Sequence, residues 1–249
     1  MSYIYNLIKD DIDTTIRKYL GLQLIMNPRF NEKKHCNHNK ISSNKEESGI
    51  DKNSTYIRNF FKSFNKGEYI FMLFDKSFIQ VNYEFIVPKG QKEQVVSKGN
   101  LTFFPNPGLY SEDIVSELQS IADEGEREEF YSFYKEYTHD FEYSSNYIRL
   151  DYDGRASSFT EFIHPKCHIH IGLHNNFRLG VNKLPLLSDF MDFVMYVNYI
   201  NTWEKIHSDG VEDLNSYLIS LVNKKEVIQI TEHESLLTAH EQKNYLVSL

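Results

Sequence analysis

The sequence has little cysteine: Cys36 and Cys167 are the only two in 249 residues, far apart and in dissimilar surroundings. They encode neither a disulfide framework nor a C-x-x-C metal or redox pair. No apolar run approaches the roughly 20 residues that a membrane-spanning helix needs. The N-terminus, MSYIYNLIKDDIDTT, lacks the basic start and apolar stretch of a secretory signal, so a cytoplasmic protein without membrane partners is expected. Positive charge is in deficit, with 27 Lys and Arg against 35 Asp and Glu and a formal net charge of -8. Coating nucleic acid depends on basic side chains neutralising phosphates, so this balance argues against that as the protein's main business while leaving room for a local basic site. No G-x-G-x-x-G, G-x-x-x-x-G-K-[ST] or G-x-S-x-G string occurs. Dinucleotide, P-loop and serine-hydrolase readings thereby lose their main support. No internal repeat is visible, which argues against solenoids and propellers.

What is present is a 41% hydrophobic chain, long enough to bury a sizeable core without disulfides. Charge is unevenly spread. Residues 29–66 carry nine basic against four acidic side chains, and residues 112–142 carry two against eleven. These are either two solvated faces or an acidic segment that covers a basic one. The stretch 31–55, rich in Asn, Ser, Lys and Glu, buries too little to offset its own ordering entropy and reads as a mobile polar loop in a single α+β domain over 1–249. His35, Cys36 and His38 lie there without the remaining ligands of a zinc site at a recognised spacing.

Apolar residues at helical spacing predict an N-terminal amphipathic helix over 3–20, and residues 55–64 a second. Segments 68–74, 77–87 and 94–104, rich in β-branched and aromatic residues, predict a strand meander. Acidic helices are expected over 111–122 and 126–137, then strands over 147–153 and 166–174 and a short piece at 177–181. Ser188 is a plausible cap for a helix through Ile206, with another over 211–222. The fold class is α+β: a central antiparallel or mixed sheet packed by N-terminal and C-terminal helices.

The informative stretch is YIRLDYDGRASSFTEFIHPKCHIHIGLHNNFRLGVNKLP, residues 147–185. Alternation across a strand places Arg149, Asp151 and Asp153 on one face, and Lys166, His168, His170, Gly172 and His174 on one face of the next strand. Cys167, Ile169, Ile171 and Leu173 then face the core. If the two strands are neighbours, carboxylates and imidazoles meet. Such a face supports a divalent metal on His168, His170 and Asp151 or Asp153, with hydrolytic or oxidative chemistry. It also supports metal-free phosphodiester cleavage by a histidine base and acid, with Arg149, Arg178 or Lys183 stabilising phosphate charge. That mechanism describes a ribonuclease, because the 2′-hydroxyl is the nucleophile. A third option is a nucleophilic histidine: HIHIGLH resembles the strand of the histidine-triad family in part, with Gly172 in place of the third histidine. Alternating histidines can also simply decorate a sheet or satisfy hydrogen bonds under a loop. Glu161 is a general base or a loop acid, and the Phe190 to Trp203 stripe is packing.

The strings LTFFPNP (101–107), YIRLDYD (147–153), HPKCHIHIG (164–172) and LPLLSDFMDFVMYVNYINTW (184–203) together resemble the DUF2290 family of bacterial proteins. The R-x-D-Y-D strand before an H-x-x-x-H-x-H element is also distantly similar to TumE-type toxins. Carrying the matching positions over marks Arg149, Asp151, His164, His168 and His170 as the catalytic candidates; Arg178 and Lys183, outside those strings, remain the substrate-contacting candidates of the phosphodiester reading. The toxin similarity implies a ribonuclease-like phosphodiesterase acting as a toxin or phage-defence effector, with RNA or a protein of a toxin–antitoxin or defence system as partner. Alternatives are a non-enzymatic sensor or assembly subunit of a defence system, and a metal-dependent hydrolase or oxygenase.

Overall fold

The computed structural model describes residues 2–43, 51, 54–107, 121, 123, 125–127, 129, 146–176, 178–184, 186–207, 237–238 and 241. The chain opens with α1 (Tyr3–Gly21), which buries Ile4, Ile8, Ile12 and Ile16 along one stripe. Ser2 caps it, its hydroxyl accepting the Tyr5 amide at 3.4 Å. There follow β1 (Ile25–Met26), α2 (Glu32–His35), β2 (Cys36–Asn37), β3 (Lys40–Ser42) and α3 (Tyr56–Lys66). Next are β4 (Phe71–Leu73), β5 (Phe78–Ile86), β6 (Val95–Phe104), β7 (Ile148–Asp153), β8 (Cys167–Ile171) and β9 (Leu179–Gly180), then α4 (Leu187–Asn198) and α5 (Ile200–His207). The strands form one sheet in the order β1-β4-β5-β6-β7-β8-β9, with β3 joining β5 and β2 joining β3. Every named pair is antiparallel. The class is therefore α+β, and among the described residues no helix is long and apolar enough to cross a membrane.

The sheet has two unlike faces. One presents Ile79, Val81, Tyr83, Leu101, Phe103, Leu150 and Ile169 to α1, α4 and Trp203 of α5, all within a single buried cluster. Removing each such side chain from water contributes about 1.5–3 kcal/mol, which makes this the main cohesive layer. The opposite face is divided along the strands. At one end Phe78 and Phe104, stacked at 4.7 Å, join Tyr147 and Leu173 under Tyr56, Ile57, Phe60 and Phe61 of α3. Toward the other end the same face turns polar, in the cross-strand rows Gln80–Thr102–Arg149–His170 and Asn82–Asn100–Asp151–His168.

Residues 31–43, within the stretch read as a mobile polar loop, carry regular elements: Asn31 caps α2, and β3 pairs with β5 through Lys40↔Glu84, Ile41↔Tyr83 and Ser42↔Asn82. Backbone pairing holds this segment to the sheet, and Ile41 joins the core. Two expectations about the C-terminal helix need correction. Ser188 is not the cap of the C-terminal helix, which begins one residue earlier with Asp189 reaching back to the Leu186 amide at 3.1 Å. Ser188 instead donates its amide and hydroxyl to Asp11 of α1, at 3.1 and 2.6 Å. That helix is also interrupted, because Tyr199 leaves helical geometry between α4 and α5. The helices expected over 111–122, 126–137 and 211–222 lie outside the described residues, apart from isolated positions in the first two.

Candidate functional site

The β7–β8 register sets Arg149 opposite His170 and Asp151 opposite His168, and β6 sets Asn100 opposite Asp151. Antiparallel partners project to the same side, so all five side chains share the polar face. Asp151 is its centre. Oδ2 accepts from Arg149 Nε at 2.8 Å and lies 2.8 Å from a terminal guanidinium nitrogen. Oδ1 accepts from Asn100 Nδ2 at 2.6 Å. Oδ2 is also 3.4 Å from His170 Nε2 and 3.9 Å from His168 Nε2. Burial alone would raise the Asp151 carboxyl, but His170, Arg149 and Asn100 outweigh it and hold the group well below the usual carboxylate range.

His168 is buried, and that burial pushes its imidazole down to about 4 against the pull of Asp151, so the ring is neutral near pH 7. Its Nδ1 lies 2.9 Å from the Pro165 carbonyl oxygen. A carbonyl only accepts, so Nδ1 carries the proton and Nε2 presents a lone pair toward Asp151. Two acceptors thus face each other across 3.9 Å with no hydrogen between them. The candidate ligand atoms of Asp151, His168 and His170 all lie within 4.8 Å of one another. Imidazole and carboxylate bind zinc at about 2.0–2.2 Å, so these are the three residues that would hold one divalent ion. The backbone bond that fixes the His168 tautomer is the kind of outer contact that orients metal-binding histidines.

A family model described as "Uncharacterized conserved protein (DUF2290)" matches residues 24–249. The chain belongs to the DUF2290 family. No curated protein and no solved structure matches it. The likeness to TumE-type toxins gains nothing from these comparisons.

Other expected site residues of this DUF2290 protein are placed unequally. His164 stands beside the cluster, its ring edge-on to His168 at 4.8 Å, and His168 in turn meets His170 at 4.9 Å. Asp153 does not join. The turn after β7 brings Arg155 back onto its carboxylate, and with Ser158 this holds the group down at about 2. Lys183 is half-buried and belongs to neither the cluster nor the adjoining cavity. Arg178 is closer: His168↔Gly180 and Ile169↔Leu179, continued by one position, set it across from His170, and its Nε is buried without a hydrogen-bond partner.

Strict alternation through Leu173 also fails. Gly172 adopts φ +83°, a left-handed geometry that ends β8, so Leu173 joins the α3 cluster and His174 is exposed. Ile171, expected in the core, is 38% exposed. The turn opens a cavity of about 160 Å³ lined by Tyr147, Arg149, His170, Gly172, Leu173, His174, Asn175 and Asn176. Asn100 and Tyr147 were not anticipated as site residues. Asn100 follows from no motif, and only the N-x-T alternation of β6 hinted at a polar face there.

Proposed function

We propose that this DUF2290 protein is a metal-dependent hydrolase in which Asp151, His168 and His170 hold one divalent cation. The opposed acceptors Nε2 of His168 and Oδ2 of Asp151 carry the reading, since a cation between them turns a mutual repulsion into two bonds. Two imidazoles and one carboxylate leave coordination positions open for water and substrate, and a bound Zn²⁺ ion lowers the pKa of its water to about 7. His170 reaches both the cluster and the cavity, so a water activated at the cluster would adjoin any molecule held in the cavity. Arg149 and Asn100 keep Asp151 ionised and oriented.

Metal content by mass spectrometry, on untagged protein after exposure to Zn²⁺, Mn²⁺ or Fe²⁺, tests the reading. A near-stoichiometric ion, lost in His168→Ala/His170→Ala, is the expected result. Failure to retain any of the three overturns it.

A second reading, metal-free phosphodiester cleavage, is favoured by the Arg149 guanidinium already paired with Asp151. There His170 would relay the proton of an RNA 2′-hydroxyl with Asp151 orienting the ring. RNA cleavage that persists in chelator and disappears in His170→Ala would select it. A toxin or phage-defence role is the setting in which either chemistry would act. Growth arrest on expression in a bacterial host, relieved by the double substitution, is its test.

A further inference from the structure

We infer that the cavity beside the cluster is the substrate subsite, and that it takes the phosphoryl group of a phosphate ester. The inference rests on the hydrolase reading for its chemistry but on separate residues for its geometry. The basic side chains lining the cavity are Arg149, His170 and His174, and no carboxylate lines it. The nearest acid in the cluster, Asp151, is already neutralised by Arg149 and bonded by Asn100. The space is therefore selective for an anion.

Two buried donors stand in or beside it. The Tyr147 hydroxyl lines the cavity next to Arg149 and Thr102, which interact with it. The buried Nε of Arg178 is unpartnered, on the strand position facing His170. A buried donor without an acceptor is unfavourable, and an oxygen of a phosphate held next to His170 would offer Arg178 one. The row that carries Arg149 and His170 is polar throughout, with Gln80 and Thr102 as its other members. The volume of about 160 Å³ is below that of pockets that enclose drug-sized molecules, roughly 300–1,000 Å³, and suits a phosphoryl group whose ester substituent extends outward. The Asn176 amide on the rim offers both a donor and an acceptor to that substituent. His170 belongs to both the cluster and the cavity, so an ester held in the cavity would lie beside the residues that would hold the ion.

Calorimetric titration of the full chain with adenosine 5′-monophosphate, inorganic phosphate and adenosine, with and without chelator, tests the assignment. The monophosphate is expected to bind at least tenfold more tightly than adenosine. Arg178→Gln and Tyr147→Phe, both conservative in size, are each expected to weaken it at least fivefold while circular dichroism stays unchanged. Equal affinity for adenosine and its monophosphate overturns the assignment. So does wild-type affinity in both variants, or no heat from either phosphate probe. The two readings fail separately: phosphate binding by a chain that retains no metal sinks the metal centre alone, and a stoichiometric metal without phosphate binding sinks the subsite alone.

Discussion

His168 has a neutral ring in the folded chain and an ordinary one in the unfolded chain, and that difference makes stability depend on pH. Its folded value of about 4 lies below the usual 6.5. As pH falls below about 6.5 the unfolded state takes up the proton first, so stability is lost progressively down to about pH 4, by an amount on the order of 1–3 kcal/mol. Asp151, held below the usual carboxylate range, adds stability that is present above that range and lost as pH falls beneath it. Urea midpoints measured from pH 7.5 to pH 3 should therefore fall in two stages. His168→Gln should flatten the upper one, and an unchanged profile in that variant would contradict the assignment. Asp151→Asn strands the partly buried Arg149 guanidinium, and a loss of about 1–3 kcal/mol is expected together with loss of metal uptake. Strand parity made Arg149, Asp151, His168 and His170 legible as one face. It could not separate Asp151 from Asp153, because parity does not say which carboxylate stands opposite a histidine. Both are paired with an arginine, and the β7–β8 register sets Asp151 alone opposite His168.

The periodic elements were the readable ones. α1, α3 and the strands β5 to β8 follow apolar spacing that burial enforces. The β2–β3 hairpin was missed because its order comes from main-chain bonds that composition does not encode, among them Ser43 N to Val81 O and Phe85 N to Asn39 O, both at 2.8 Å. The end of α3 shows how a single backbone conformation supports a surface. Gly67 sits at φ +64° as its C-terminal stop, and a Cβ there would run into the Arg29 guanidinium, which lies 4.8 Å over the Tyr69 ring. Gly67→Ala is expected to cost about 1–2 kcal/mol in thermal or urea unfolding, from left-handed strain added to the displaced cation. A cost below a few tenths would show that Arg29 moves aside freely. The Gly172 turn was equally invisible, since nothing in HIHIGLH distinguishes a strand that continues from one that stops.

The molecule as a whole keeps one face of its sheet for cohesion and gives half of the other to polar chemistry, with α3 marking the border. That division was only partly legible: alternation showed that two faces exist, whereas the helix covering each is fixed by tertiary packing. The connectivity bears on the order of assembly. Asp151, His168 and His170 all lie on the β7–β8 hairpin, whose strands are joined by residues 154–166, while β6 reaches β7 only across residues 105–147. Loop-closure entropy rises with the length of the span, so the hairpin can form early and its docking onto β6 comes later, as the slower event. Leu150→Ala, which removes the side chain meeting Leu101 across that junction, should then slow refolding in stopped-flow mixing. An effect confined to the unfolding rate would place docking after the barrier. The ligand set would thus be in place on its hairpin before the sheet that supports it is complete, and a cation present during synthesis would have a partly formed site to meet while the chain is still folding.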